Sequence, residues 1–265
     1  MKVYISADIE GITGTTTWDE TEKKEPSYIS LSSQMTKEVN ACCVALNKMG
    51  ADEIIIKDAH DSGRNIDHNY LPKNTKLIRS WSGSIFSMVE GLDESFDAIL
   101  FVGYHSPASS SSNPLSHTMS LKVSKITING QIASEFLIHA YIAEYFKVPI
   151  AFLSGDKGLC DEVKKYNSNI STVAVKEGIG NSTINIHPEL ALELIEENVR
   201  EVFSNSLINN NKELPKYFTI EVEYYNHCDA YRYSMYKGVS KINEKSIRFE
   251  SDDYIEVLRF INFCL

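Results

Sequence analysis

Asp8 and Glu10 stand one residue apart at the end of the first apolar segment, Lys2-Val3-Tyr4-Ile5-Ser6-Ala7. In an extended chain alternate residues share a face, so Val3, Ile5, Ala7 and Ile9 fall on one side while Asp8 and Glu10 project together from the other. Two carboxylates held that close raise each other's pKa unless they share a proton or a cation sits between them. A metal ion satisfies both charges at once. The plainer alternative is a strand that frays into a solvated polar loop, and only further ligands can decide between the two. His60 follows Glu53-Ile54-Ile55-Ile56-Lys57-Asp58-Ala59, and His105 follows Ala98-Ile99-Leu100-Phe101-Val102-Gly103-Tyr104, each behind a nearly continuous apolar run. Imidazole and carboxylate together are a zinc donor set. Glu135 is a further candidate, and His117 stands on the loop that follows His105. A glutamate in the first turn of a helix is also favoured by the helix dipole, however, and a loop histidine often only satisfies a carbonyl.

Periodicity indicates the elements that must hold these residues. Ser30 to Met49 carries Met35, Val39, Cys42, Leu46 and Met49 at three- and four-residue spacing, with Gly50 placed to end the run, which predicts a helix whose cysteines are core. The apolar strands at residues 2–11, 53–58 and 98–104 are separated by helix-length connections, which predicts a mostly parallel sheet. Asp8 with Glu10, His60 and His105 then sit at equivalent C-terminal ends, the edge where open α/β sheets bind ligands. Lys76 to Arg79 is a shorter apolar segment, and Ser87 to Leu92 reads as a helical turn. Lys125-Ile126-Thr127-Ile128, Asn129-Gly130 and Gln131-Ile132 predict a hairpin. A helix follows from Ser134-Glu135 to about Tyr145, with Leu137, Tyr141 and Ile142 toward the core. Val148 to Ser154 is a fourth buried strand; Asp156 beyond it reaches the same sheet edge and at most supports the residues in front of it. Pro188 to about Phe203 is an amphipathic helix striped by Leu192, Ile195, Val199 and Val202, with His187 before it read as structural.

After Leu214 the pattern changes. Phe218 to Glu223 alternates strictly, Ser246 to Glu250 is its expected partner, and a helix from Asp252 closes the chain. The expected fold is therefore α/β: a mostly parallel central sheet flanked by helices, with a smaller C-terminal α+β unit. The first covers residues 1–208 and carries the site; the second covers residues 209–265, joined through Asn209-Asn210-Asn211. The serine-rich stretch Ser106 to Pro114, between His105 and His117, is expected to be a mobile lid.

Composition narrows the partners. The 265 residues are 43% hydrophobic and 23% charged, an ordinary globular balance, and the formal net charge of −10 argues against nucleic acid or an anionic membrane. Five cysteines without a Cys-x-x-Cys pair give neither a zinc-finger spacing nor a disulfide framework. Gly11 to Thr17 matches no phosphate-binding fingerprint and reads as a tight turn. Asp8 interrupts the N-terminal apolar stretch too early for a secretory signal, and no run reaches the ~18 apolar residues of a membrane span, so a cytoplasmic location is expected.

With Ser6-Ala7-Asp8-Ile9-Glu10-Gly11, Asp58-Ala59-His60, Gly103-Tyr104-His105, Ser116-His117 and Glu135 all present, the sequence resembles the zinc-dependent D-aminopeptidases of peptidase family M55. The likeness runs from Met1 to about Asn181, includes Ser87-Met88-Val89-Glu90-Gly91-Leu92-Asp93, and fades toward the C-terminus. It implies two zinc ions per chain, one on Asp8, Glu10 and His60 and the other on Asp8, His105 and Glu135, with Asp8 bridging. His117 matches the family's proposed catalytic histidine, and is implied to move a proton or steady the oxyanion. The resemblance further implies a short peptide substrate that carries a D-amino acid and loses its N-terminal residue, and a ring-like homo-oligomer. Ser109 to Asn113 and the tail after Leu214 depart from the family pattern, which bears on substrate choice and assembly. With so few ligands per ion, each site would keep a position open for water.

Two other readings stand beside this one. A two-metal phosphatase or esterase uses similar ligands but adds a basic clamp for phosphate, and only Lys57 and Lys157 adjoin the candidate residues. A non-enzymatic module binding a nucleotide or a metal on a doubly wound sheet would need the glycine fingerprint that is missing here.

Overall fold

The computed structural model describes residues 1–205 and 211–265. The expected 208/209 boundary and the Asn209-Asn210 part of the join lie outside the described residues.

The chain begins with β1 (Lys2–Ala7), α1 (Tyr28–Lys48), β2 (Glu53–Asp58), β3 (Thr75–Ile78) and β4 (Ala98–Tyr104). The hairpin β5 (Val123–Ile128) and β6 (Gln131–Ile132) leads into α2 (Glu135–Tyr145) and β7 (Ile150–Asp156). Then follow α3 (Lys157–Tyr166), β8 (Ser171–Ile179), β9 (Ser182–Asn185) and α4 (Pro188–Ser204). The chain ends with β10 (Phe218–Tyr224), α5 (His227–Tyr233), β11 (Ser240–Lys241), β12 (Ser246–Ser251) and α6 (Tyr254–Cys264).

Seven strands form one sheet in the order β3-β2-β1-β4-β7-β8-β9, parallel throughout except for the final β8/β9 hairpin. A second, antiparallel sheet runs β11-β12-β10-β5-β6. The C-terminal strands thus share their sheet with the 123–132 hairpin, to which β10 pairs through Ile220 with Ile128 and Val222 with Ile126. That hairpin turns as its Asn-Gly pair demands, with Asn129 at φ +51° and Gly130 at φ +80°.

Strand alternation divides the core in two. Val3, Ile5, Ala7, Leu100 and Val102 pack on the α1 and α4 side with Val39, Cys42, Leu46, Ile195 and Val199. Tyr4, Ile99 and Phe101 point the other way, onto α2 and the second sheet. α2 was expected to bury one stripe. Held between the two sheets it is buried on nearly every side, including Phe136, Leu137, Ile138, Ala140, Ile142 and Ala143, and with them the polar Glu135, His139 and Glu144. β1 lies between β2 and β4, so the chain switches direction across the sheet there, and the crevice outside such a switch is where α/β sheets place ligands. No helix among the described residues is long and apolar enough to cross a membrane.

Candidate metal centre

β1 stops at Ala7, before the strand alternation could aim Asp8 and Glu10. They converge nonetheless, because the chain turns across the end of β4: the Asp8 amide donates to the Val102 carbonyl (2.9 Å) and the Gly11 amide to the Gly103 carbonyl (2.8 Å). The crossing is too tight for side chains. A Cβ on Gly11 would lie 1.8 Å from the Tyr104 carbonyl oxygen, and one on Gly103, at φ +70°, would lie 2.3 Å from that of Asp8.

Around this turn the six sequence-predicted residues come together. His60 Nδ1 lies 3.3 Å from Asp8 Oδ1 and 3.0 Å from Glu10 Oε2. On the other side His105 Nε2 lies 3.5 Å from Asp8 Oδ2 and 3.3 Å from Glu135 Oε2. His117 Nε2 is 3.6 Å from Glu135 Oε1, which also accepts from the Met119 amide (2.6 Å). Donor atoms of Asp8, Glu10 and His105, and likewise of His105, His117 and Glu135, lie within 4.8 Å of one another.

The far nitrogen of each ring is tied to a backbone carbonyl: His60 Nε2 to Thr21 (3.0 Å), His105 Nδ1 to Ser106 (2.9 Å) and His117 Nδ1 to Leu115 (2.9 Å). A carbonyl only accepts, so that nitrogen carries the hydrogen, and in the neutral ring the other nitrogen aims a lone pair at carboxylate oxygens. Lone pair against anion is repulsive. At His60 and His105, where two carboxylates crowd the free nitrogen, a cation must lie between them, either a proton on the ring or a metal ion, and anchoring of the distal nitrogen is what ligating histidines usually have. Glu10 Oε2 and His105 Nε2 are buried without a hydrogen-bond partner, as atoms reserved for coordination would be.

The electrostatics of the residues alone point the same way. Burial pulls the His105 pKa down, but Glu135, Asp8 and Glu10 outweigh it and push it up to about 10. For His60 burial is likewise overcome by Glu10 and Asp8, and the ring is held well above its ordinary value. Burial, then the neighbouring Glu10 charge, raises Asp8. Glu10 and Glu135 go the other way: burial opposes ionisation, but His60 overrides it for Glu10, and His105 takes Glu135 down to about 2. The cluster is built to hold positive charge.

Asp8, Glu10, His60, His117 and Glu135 line a cavity of about 500 Å³, whose outer wall includes Trp18, Glu22, Asp61, Trp81, Met119 and Leu121. His105 sits behind it, stacked under His117. None of Ser106 to Pro114 lines the cavity, so the loop does not stand over the site as the expected lid. Two of its polar side chains, Ser106 and Asn113, are instead held by a buried carboxylate. Asp156 accepts from the Ser106 amide (2.6 Å), Ser106 Oγ (2.5 Å) and Asn113 Nδ2 (3.2 Å), while the Ser112 carbonyl accepts from the Gly178 amide (3.0 Å).

Sequence reasoning gave no role to two residues. Trp18 packs edge to face on His117 (centroids 5.4 Å apart), and nothing in its threonine-rich context marks it. Asp58 is buried below His60 and accepts from the Asn65 and Ile66 amides and Asn65 Nδ2, fixing the loop that carries the histidine. Its place at the end of an apolar strand was the available signal.

Known proteins share this architecture. A curated D-aminopeptidase from Bacillus subtilis (strain 168) is 30% identical over 260 residues, 97% of this chain and 93% of the relative. The solved structure of the Zn-dependent D-aminopeptidase DppA from Bacillus subtilis, a self-compartmentalizing protease, superposes with a TM-score of 0.93 at 27% identity, covering 100% of this chain and 96% of that one. The family likeness therefore continues past Asn181 through the second sheet. With the D-aminopeptidase family model matching residues 1–263, this chain belongs to the D-aminopeptidase family, peptidase family M55.

Proposed function

We propose that the chain is a zinc-dependent aminopeptidase that removes the N-terminal residue of short peptides containing D-amino acids. The observation that carries this reading is the split of Asp8. Oδ1 faces His60 beside Glu10, and Oδ2 faces His105 beside Glu135, so one carboxylate serves two donor sets. Asp8, Glu10 and His60 would hold one zinc, and Asp8, His105 and Glu135 the other. Bound there, zinc supplies Lewis acidity for the scissile carbonyl and an acidified water.

The chain's own residues supply the rest. His117 is partly exposed to the cavity, with Nδ1–H held by Leu115 and Nε2 directed inward. Neutral, it takes a proton from the attacking water at Nε2 and returns it to the amine that leaves as the C–N bond breaks; protonated, it donates to the oxyanion. Glu22 and Asp61 flank the cavity beside His60 and are exposed, which suits an incoming peptide ammonium. Trp18 walls one side of His117.

Preference for a D-residue and self-association are supported by likeness to a D-aminopeptidase and to a self-compartmentalizing protease, a ring-like form by the family resemblance, and a cytoplasmic location by the sequence. The phosphatase reading loses support, because no Lys or Arg among the described residues lines the cavity: Lys57 donates to the Ser80 carbonyl and Lys157 pairs with Asp161. Paired D- and L-aminoacyl peptides, assayed on zinc-loaded protein beside a phosphomonoester, test the reading. Hydrolysis of the D-series is expected, and zinc-loaded protein that cleaves no peptide overturns it.

A further inference from the structure

We infer that Asp156, at the end of β7, is a positioning residue shared by both halves of the site and by His117. It does not line the cavity; it is fully buried behind it. Its carboxylate accepts four hydrogen bonds. Oδ1 takes Ser106 Oγ (2.5 Å) and the Leu159 amide (2.9 Å), and Oδ2 takes the Ser106 amide (2.6 Å) and Asn113 Nδ2 (3.2 Å). Only the Leu159 bond is the ordinary N-cap of α3.

The other three lead to the site by short paths. Ser106, gripped at its amide and hydroxyl, offers the carbonyl that fixes His105 Nδ1–H and so directs Nε2 between Asp8 and Glu135. Asn113 spends its second amide hydrogen on the Glu10 carbonyl (3.0 Å), which Lys176 Nζ also contacts, so the turn carrying Asp8 and Glu10 is pinned from behind. Asn113 Oδ1 accepts from the Leu115 amide (2.9 Å), and the Leu115 carbonyl fixes His117 Nδ1–H. Every group facing Asp156 in these contacts is a donor, which only a carboxylate can satisfy in full. One anion thereby sets two imidazole tautomers and the placement of a carboxylate turn.

The inference rests on the zinc reading above. Asp156→Asn keeps the shape but turns an NH2 toward donors, so zinc affinity measured by chelator competition should fall ~10-fold to 100-fold, with kcat reduced more than KM. Loss of the helix cap alone would lower Tm and leave zinc affinity at the wild-type value, and that result would overturn the inference. Ser106→Ala removes one of the two bonds by which Asp156 grips the His105 path, without touching the cap. It should by itself weaken zinc binding several-fold, and if it binds normally while Asp156→Asn is either normal or unfolded, Asp156 has no positioning role. Wild-type protein titrated alongside separates the two claims: zinc on wild type with no change in either variant removes only Asp156's role, whereas wild type that takes up no zinc sinks the metal site and this inference together.

Discussion

His105 and His117 lie face to face, with ring centroids 4.4 Å apart and planes 11° from parallel. The two rings nevertheless face different tasks. His105 is fully buried and points Nε2 at Asp8 and Glu135, while His117 is 15% exposed and borders the cavity.

Metal content follows from the split of Asp8. Protein purified without chelator should carry close to two zinc equivalents by elemental analysis. Asp8→Ala should lose both ions, since each of its oxygens faces a different histidine, whereas Glu10→Ala should weaken mainly the ion beside His60. A metal-free preparation with full peptidase activity would end this account.

The acidic rim makes a kinetic prediction. Asp61→Asn should raise KM for peptides with a free amino terminus about two- to fivefold and leave kcat nearly unchanged, the scale expected of an exposed charge pair. Unchanged KM at low ionic strength would remove Asp61 from ammonium recognition.

Glu38 predicts a pH dependence of stability. It is fully buried on α1, accepts from the Thr13 amide (3.0 Å) and Gln34 Nε2 (3.2 Å), and leaves Oε2 without a partner. Burial outweighs those donors and pushes its pKa up from 4.5 to about 7. The folded state therefore binds the proton more tightly than the unfolded chain. That stabilisation is complete below the unfolded value and is lost as pH rises through 7, a cost of about 3 kcal/mol by pH 8. Glu38→Gln should accordingly raise Tm by several degrees at pH 8 and bring no gain near pH 4.5. An equal shift at both pH values would show that ionisation of Glu38 is not the cause.

Much of this was legible in the sequence because the site is carried by strand ends. Apolar runs announce parallel strands, and a polar residue directly after one falls at the ligand-binding edge, which is how His60 and His105 could be placed. The turn that aims Asp8 and Glu10 was not legible in the same way. Strand alternation suggested the right pairing, but β1 stops at Ala7, and the convergence depends on Gly11 and Gly103 allowing two backbones to touch, a contact that joins residues remote in sequence. The loop was misread for a related reason. A serine-rich loop signals mobility only where nothing anchors it, and the carboxylate that holds Ser106, Asp156, lies 50 residues further along the chain. α3, β8, β9, α5 and β11 went unassigned: only Val173 and Val175 of β8 and Ala230 of α5 pack into the core and β9 and β11 add no buried side chain, whereas α3 buries Leu159, Cys160, Val163 and Tyr166 on a stripe that its lysines and acids interrupt.

The loop's new role reverses an expectation. Shortening Ser109 to Ser112, if it gated a cavity, would alter peptide selectivity at constant zinc content. Because Ser106 and Asn113 anchor His105, Glu10 and Leu115, the shortened loop should instead reduce zinc content, with selectivity among the peptides still cleaved unchanged. Zinc titration and a peptide panel on one preparation separate these outcomes.

His117 can be distinguished from the ligand histidines by the same pair of measurements, zinc content and turnover. Its Nε2 lies within reach of the Glu135 and His105 donor atoms, so coordination is geometrically open to it. Against that stands its position: it follows a loop, borders the cavity where a substrate would enter, and packs beside Trp18, whereas His60 and His105 close the ends of buried strands. A ligand needs the rigid scaffold, and a proton carrier needs access to substrate. His117→Ala should therefore keep both zinc ions and lose ~10²-fold to 10⁴-fold in turnover, with a smaller change in KM. Lost zinc would make His117 a ligand, and retained zinc with normal turnover would reduce it to satisfying the Leu115 carbonyl. Trp18→Ala sharpens the test. If the edge-to-face contact holds the ring toward the cavity, that variant should lower kcat in the same direction but by less, and with zinc content unaltered.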